Sequence, residues 1–205
     1  MVSAPAILLP PRIAVFTGLM DRVQSLVVTI PNLITLLRLV MVPTTVWVLI
    51  SGYQGWAFWL FIAAGVGDAL DGIIARQFGL VSRLGSFLDP LADKALLVSV
   101  YITLAILLHI PAWLAIMVVS RDLLIVAGVL LSWVLEWPVE MRPLPISKAN
   151  TLAQITLAAI VLADLAFAVD FIALRNGLII LVAALTVGSA AAYLIDWVRH
   201  MGRQG

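Results

Sequence analysis

Cysteine is absent from this chain of 205 residues, and histidine occurs only twice. Disulfides and thiolate nucleophiles are therefore excluded, and the nitrogen and sulfur ligands that zinc prefers are nearly missing. Charge is also scarce, since Asp, Glu, Lys and Arg make up 11% of the residues and the formal net charge is +1. Such a small total charge gives no reason to expect a nucleic-acid partner.

Apolar residues are abundant instead, at 63% of the chain, and the mean hydropathy is +1.15. These values lie far outside the range of soluble domains. Six apolar stretches approach the roughly 20 residues that a transmembrane helix needs. The sequence therefore predicts an all-α, polytopic membrane protein with six transmembrane helices, at residues 33–51, 56–76, 87–109, 111 to 133–137, 149–169 and 177–197.

The first 30 residues precede these spans and are interrupted by Pro10-Pro11 and Asp21-Arg22, so they do not resemble a signal peptide. We predict two domains, an interfacial segment at residues 1–30 and a six-helix domain at residues 31–205. An amphipathic helix along the membrane interface, rather than a mobile tail, is indicated by apolar side chains at helical spacing, namely Ile13, Phe16, Met20, Val23 and Val27.

Basic residues fall mostly at one set of helix ends. By the positive-inside rule, these ends and both termini face the cytoplasm. No basic amphipathic presequence is evident, which favours a bacterial cytoplasmic membrane over an organelle. The residues at these ends are Arg12, Arg22, Arg76, Arg83, Lys94, Arg142, Lys148, Arg199 and Arg203.

Four of the 11 acidic residues lie between residues 68 and 94, in otherwise apolar segments where an uncompensated carboxylate is costly. Asp68 and Asp71 are three residues apart, and Asp89 and Asp93 are four apart, so each pair lies on one face of its helix. If residues 79–85 turn the chain, the four carboxylates converge. Such a cluster of hard oxygen ligands predicts a site for Mg²⁺ or Mn²⁺.

Small residues near the acids, Gly72, Ala75 and Gly85, would let a ligand approach the backbone, and Arg76 supplies a cation suited to phosphate. The stretch therefore predicts a divalent-metal site for a phosphate ester at a membrane surface. One alternative is that the acids form inert salt bridges with basic residues such as Lys94, but such pairing would not require the glycines or the fixed gaps. Another is a carboxylate-lined cation transporter, which would distribute acids through the membrane depth, whereas these lie at one face.

The same stretch resembles the signature of the CDP-alcohol phosphotransferase family in residue type and in spacing. The matching residues are Asp68, Asp71, Gly72, Ala75, Arg76, Gly85, Asp89 and Asp93. Members of this family are integral-membrane enzymes of phospholipid synthesis. They displace CMP from a CDP-linked donor, usually CDP-diacylglycerol, with the hydroxyl of an acceptor alcohol. The resemblance implies a metal-dependent homodimer that binds two Mg²⁺ or Mn²⁺ ions.

Roles for individual residues follow from the resemblance. Asp68, Asp71 and Asp89 would be metal ligands, while Asp93 would deprotonate the attacking hydroxyl and also contact the second metal. Gly72, Ala75 and Gly85 would make space for cytidine, and Arg76 would bind phosphate. The implied donor-binding residues are Asn32, Gly72, Ala75, Arg76, Ser82 and Gly85.

This chain resembles two subfamilies that differ in the acceptor alcohol that they use. Residues 30–197 are similar to CMP-forming cardiolipin synthases, which use phosphatidylglycerol as the acceptor. Phosphatidylglycerophosphate synthases use glycerol-3-phosphate instead, and they resemble much of the same stretch. A phosphomonoester carries nearly two negative charges and should need two cationic side chains. The second arginine that phosphatidylglycerophosphate synthases carry in the fourth span is Val129 here. We therefore favour transfer onto phosphatidylglycerol to give cardiolipin, with glycerol-3-phosphate as the alternative.

Three cationic residues, Arg121, Arg142 and Lys148, are the candidates for binding the acceptor. Arg121 directly precedes Asp122 inside the fourth span. A buried ion pair that ties helices together is an equally good interpretation of this dipeptide.

Overall fold

The computed structural model describes the backbone of residues 37–78, 83–134 and 144–201, and the side chains of residues 37–67, 94–127 and 144–197. Every regular element within these ranges is an α-helix, which confirms the predicted all-α class. The interfacial helix predicted for residues 1–30 lies outside the described residues. The helices, α1 to α6 in chain order, are Leu37–Ile50, Gln54–Phe78, Arg83–Ile106, Ala112–Val134, Pro145–Phe167 and Ile172–Met201.

The helices follow the predicted spans, but some ends differ. Helix α3 ends at Ile106, three residues before the predicted end, because Leu108 adopts a left-handed conformation with φ 61°. A left-handed residue is a common way to end a helix, and Ala168, with φ 53°, ends α5 in the same way. Helix α5 begins four residues before its predicted start, with Pro145 in the first turn, where a missing N–H costs nothing. Helix α6 extends beyond its predicted span at both ends.

Helix α5 lies at the centre of the packing. It contacts α2, α3 and α6, while α4 packs against α3 and α6. Tyr101 and Leu104 of α3 and Leu114 of α4 are fully buried in the same core. The buried residues of α5 recur every three or four positions, which is the spacing of one helix face: Asn150, Ala153, Gln154, Leu157, Ala158, Val161 and Leu162.

Two buried hydrogen bonds connect α5 to its neighbours. The Tyr101 hydroxyl of α3 donates to the main-chain carbonyl of Gln154 at 3.0 Å. The Thr186 hydroxyl of α6 donates to the Asn150 side-chain oxygen at 3.1 Å. Directional bonds of this kind in an apolar interior fix the rotation of α5 about its axis. That rotation determines which side chains of its first turn face α4 and α6.

Large apolar side chains are exposed on several helices, including Trp56 at 70%, Ile106 at 71% and Ile180 at 70%. Extensive exposed apolar surface usually marks contact with lipid or protein. Within the described ranges, two helices are long and apolar enough to cross a membrane, Pro145–Phe167 and Ile172–Trp197.

Candidate functional site

The four aspartates of the predicted metal site lie on two consecutive helices. Asp68 and Asp71 belong to α2, and Asp89 and Asp93 belong to α3. Helical geometry places the two members of each pair on one side of their helix, as their spacing predicts. Their side chains lie outside the described residues, so their convergence around a metal ion stays a prediction.

The predicted donor-binding residues are distributed around the same two helices. Gly72, Ala75 and Arg76 belong to the second half of α2, and Gly85 belongs to the first turn of α3. The other two, Asn32 and Ser82, lie outside the described residues. The roles of all six stay predictions.

A largely buried polar cluster joins α3, α4, α5 and α6. Lys94 of α3 directly follows Asp93, the predicted general base, and a single residue advances a helix by only about 1.5 Å. The cluster therefore lies at the level of Asp93 along the axis of α3. Its members are Lys94, Arg121, Asp122, Ser147 and Ser189.

Asp122 is shared between two cations. Its Oδ1 accepts a hydrogen bond from Arg121 Nη1 at 2.6 Å, and its Oδ2 pairs with Lys94 Nζ at 2.8 Å. Short distances are typical of hydrogen bonds in which both groups are charged. The Asp122 carboxylate thus connects α3 to α4.

Arg121 connects α4 to the last two helices. Its Nε and Nη2 donate to Ser189 Oγ at 3.2 and 2.6 Å, and Nη2 also donates to Ser147 Oγ. Its guanidinium carbon lies 5.8 Å from the centroid of the Tyr193 ring, within the range of a cation–π contact. The residue is only 3% exposed. Arg121 and Asp122 therefore form the helix-tying ion pair that was one interpretation of this dipeptide, and a role of Arg121 in acceptor binding stays a prediction.

The more accessible cations of this region are two lysines. The Lys94 side chain is 47% exposed, and Lys148, in the first turn of α5 beside Ser147, is also exposed. Arg142, the third predicted acceptor-binding residue, lies outside the described residues. Lys94 and Lys148 are therefore accessible to an incoming anion, whereas the Arg121 side chain is buried.

The sequence pattern did not predict a role for Ser189 or Tyr193, or the pairing of Lys94 with Asp122. A partial signal was present, because Ser189 and Tyr193 are four residues apart on a largely apolar helix and share one of its faces. No local sequence pattern indicated that Lys94 would pair with Asp122. Asp122 is 28 positions from Lys94 in the sequence, and only the packing of α3 against α4 brings them together.

Another ion pair lies at the opposite end of α5, between Asp164 of α5 and Arg175 of α6, at 3.4 Å. His109 lies near it, in the turn before α4. Burial lowers the pKa of His109, the charge of Arg175 lowers it further, and the charge of Asp164 partly opposes both effects. The neutral imidazole is therefore favoured at this end. The pair is far along α5 from the polar cluster and provides matched control positions.

We expect Arg121→Met to destabilise the protein strongly, because it leaves Ser147, Ser189 and one side of the Asp122 carboxylate without their donor. Removing one partner of a buried ion pair costs about 3–5 kcal/mol. Thermal unfolding of the purified protein in detergent measures the change. Arg175→Met, which breaks a longer and more exposed pair, should lower the midpoint less, and equal losses would contradict a special structural role for Arg121.

The fold and the residues along it define a class of protein: a chain whose described elements are all helices, with exposed apolar side chains, two aspartate pairs on consecutive helices and a polar cluster at the level of Asp93. Comparison with known proteins then gives the family. Residues 28–189 match the sequence model of the CDP-alcohol phosphatidyltransferases. The chain belongs to this family, which confirms the resemblance carried by the aspartate-rich stretch.

Individual relatives include enzymes of both predicted subfamilies. The chain is 33% identical over 183 residues to a CMP-forming cardiolipin synthase/mitochondrial hydrolase fusion protein of Schizosaccharomyces pombe, covering 82% of this chain and 31% of the relative. It is 36% identical over 151 residues to the CMP-forming cardiolipin synthase of Rattus norvegicus, covering 66% and 50%. It is 35% identical over 108 residues to a probable phosphatidylglycerophosphate synthase of Mycobacterium tuberculosis, covering 49% and 51%. The chain thus spans about a third to a half of the length of these curated relatives.

Proposed function

We propose that this protein is a membrane phosphatidyltransferase that transfers the phosphatidyl group of CDP-diacylglycerol to an acceptor hydroxyl and releases CMP. The family match carries the proposal, because it extends over residues 28–189 and includes both aspartate-bearing helices. Relatives named cardiolipin synthase and phosphatidylglycerophosphate synthase support the same donor and the same leaving group.

The proposal includes six membrane-spanning helices and an interfacial helix before them. The membrane length of α5 and α6 and the apolar side chains exposed on α2, α3 and α6 support it. The positions of the basic residues favour a cytoplasmic location for the aspartates and for both termini. A bacterial cytoplasmic membrane and a homodimer, which the resemblance implies, are parts of the same proposal.

Asp68, Asp71, Asp89 and Asp93 fit a pair of Mg²⁺ or Mn²⁺ ions by the chemistry of their donors, because carboxylate oxygens are the ligands that these hard cations prefer. The two helices that carry them are separated by only four residues in the sequence, and so short a connection favours antiparallel neighbours. When bound, the ions would neutralise the donor diphosphate and stabilise charge on the departing CMP.

The residues of the chain then divide the chemistry between them. Asp93 takes the proton of the acceptor hydroxyl, whose oxygen bonds to the phosphorus that carries diacylglycerol, while the bond from that phosphorus to CMP breaks. Arg76 binds phosphate, and Gly72, Ala75 and Gly85 leave room for cytidine. Asn32 and Ser82 are further donor contacts in this proposal.

For the acceptor we propose phosphatidylglycerol, which gives cardiolipin, with glycerol-3-phosphate as the alternative. The relatives named cardiolipin synthase in fission yeast and rat support phosphatidylglycerol, as does Val129 at the position where phosphatidylglycerophosphate synthases carry a second arginine. Lys148, Arg142 and Arg121 are the proposed cations around the acceptor phosphate.

The test is an assay of the purified full chain with CDP-diacylglycerol radiolabelled in the cytidine, Mn²⁺ and one acceptor at a time. We expect labelled CMP to appear with phosphatidylglycerol and cardiolipin to form in equal amount. CMP release only with glycerol-3-phosphate would select the alternative acceptor. CMP release with neither acceptor would contradict the proposed enzyme.

A further inference from the structure

We propose that the protein binds a structural water molecule in its interior between α3, α5 and α6, where the water accepts hydrogen bonds from Asn150 Nδ2 and Gln154 Nε2. Such a water belongs to the folded chain and takes no part in phosphatidyl transfer. Its test therefore needs no activity, and the proposed function stands or falls separately.

Two side-chain amides of α5 are buried with an unpaired nitrogen. Asn150 is 0% exposed and Gln154 is 1% exposed, and neither Asn150 Nδ2 nor Gln154 Nε2 has a hydrogen-bond partner in the described part of the chain. Nearly all buried polar groups in native proteins are paired, either with a protein group or with an ordered water. An amide left unpaired in an apolar interior is costly. These two donors therefore indicate a bound acceptor.

The two amides lie close enough to share one small ligand. They are four residues apart on the buried face of α5, a spacing that separates Cβ atoms by about 5–6 Å. Two hydroxyls lie beside them, because Thr186 donates to Asn150 Oδ1 at 3.1 Å and Tyr101 donates to the Gln154 carbonyl at 3.0 Å. Each hydroxyl uses its one hydrogen in these bonds, and its oxygen can still accept. A buried water makes about three hydrogen bonds, and this set of groups offers that number.

The chemistry of the surroundings selects water among the possible ligands. An N–H donor requires an acceptor atom, which excludes a metal cation. An anion would need a cation beside it, and Arg121, which contacts the first turn of α5, is already paired with Asp122 at 2.6 Å. Fully buried apolar side chains belong to the same core, including Leu104, Leu157 and Val182, and an unpaired charge among them would be costly. A small neutral ligand that both accepts and donates fits these conditions.

The bound water would join two separate hydrogen bonds into one network. Tyr101 links α3 to Gln154, Thr186 links α6 to Asn150, and the water links the two amides. A buried network whose members are all paired makes the packing of its helices more rigid. The water would therefore help to hold α5 against α3 and α6.

The direct test is a crystal structure of the full chain at a resolution that shows ordered waters. We expect a single peak at about 2.7–3.2 Å from both Asn150 Nδ2 and Gln154 Nε2. A peak with the shape of an anion would overturn the proposal. So would amide nitrogens that bond directly to protein atoms, or that have no peak within hydrogen-bond distance.

The second test is the sign of a change in stability. Gln154→Met removes the amide but keeps an unbranched side chain of similar length. If Gln154 Nε2 donates to a water, loss of that bond should lower the thermal midpoint in detergent by about 2–4 °C. If the nitrogen is unpaired, its removal relieves a cost and the midpoint should rise, which would overturn the proposal.

The matched control is Thr103→Val on α3. This substitution also removes a buried polar group, a hydroxyl that donates to the Ser99 carbonyl at 2.7 Å. A helix carbonyl at this spacing keeps its main-chain partner, so the change leaves no group unpaired and should shift the midpoint little.

The outcomes separate the water from the proposed enzyme. If Gln154→Met does not yield folded protein, the crystal structure of the wild-type chain decides alone. Amides without a water in a protein that releases CMP would overturn only the water site. A bound water in a protein that releases no CMP would overturn only the proposed function.

Discussion

Asp93→Asn should abolish transfer, with CMP release at least about 10²- to 10⁴-fold below the wild-type rate, because an amide cannot take the proton of the attacking hydroxyl. Asparagine has nearly the same shape as aspartate and keeps an oxygen donor. Binding of CDP-diacylglycerol, and of the metal ion held by Asp68, Asp71 and Asp89, should therefore remain largely intact. Single-turnover release of labelled CMP measures the chemical step, and the rise in thermal midpoint on adding CDP-diacylglycerol reports donor binding.

The matched control for this prediction is Asp164→Asn. It makes the same chemical change on a transmembrane-length helix, in an ion pair at the far end of α5. We expect it to retain turnover. Normal turnover in Asp93→Asn would remove Asp93 as the general base, and loss of donor-induced stabilisation in that variant would show that Asp93 acts in binding rather than in proton transfer.

The helices and the acidic pairs could be predicted because their signals are local. In lipid, a long apolar run must satisfy its backbone groups within the segment, so a run of membrane length predicts a helix. Asp68 and Asp71, or Asp89 and Asp93, share a face through helical periodicity alone. Local pattern could not predict the end of α3, because Leu108 is left-handed without being glycine or asparagine.

The polar cluster could be predicted only in part. The Arg121-Asp122 dipeptide inside an apolar span indicated a buried ion pair, and the structure contains one. The remaining partners come from three other helices, and Ser189 is 68 positions away from Arg121 in the sequence. Such pairings depend on the rotation of packed helices about their axes. Here that rotation is fixed by contacts such as the bond from Tyr101 to Gln154.

The second large effect concerns the metal site. We expect chelation with EDTA to eliminate CMP release and added Mg²⁺ or Mn²⁺ to restore it, because four carboxylates cannot approach one another in their ionised form without cations. Substituting a direct metal ligand should also strongly weaken metal binding. Loss of a residue that only supports a ligand already costs 10- to 100-fold in metal affinity in typical sites, so Asp68→Asn or Asp89→Asn should weaken Mn²⁺ binding by about 100-fold or more.

These two variants also test whether α2 and α3 share one site. Asp68 belongs to α2 and Asp89 to α3, so a shared site requires that each single substitution weakens the same Mn²⁺ binding event, measured by electron paramagnetic resonance. In the double variant, the loss should be smaller than the sum of the single losses, because residues that hold the same ion act as a unit. Additive losses, or a loss confined to one helix, would mean that the aspartates do not converge, and the proposed enzyme would lack its metal centre. Asp164→Asn should leave Mn²⁺ binding unchanged, which shows that removal of an arbitrary carboxylate from the helices has no such effect.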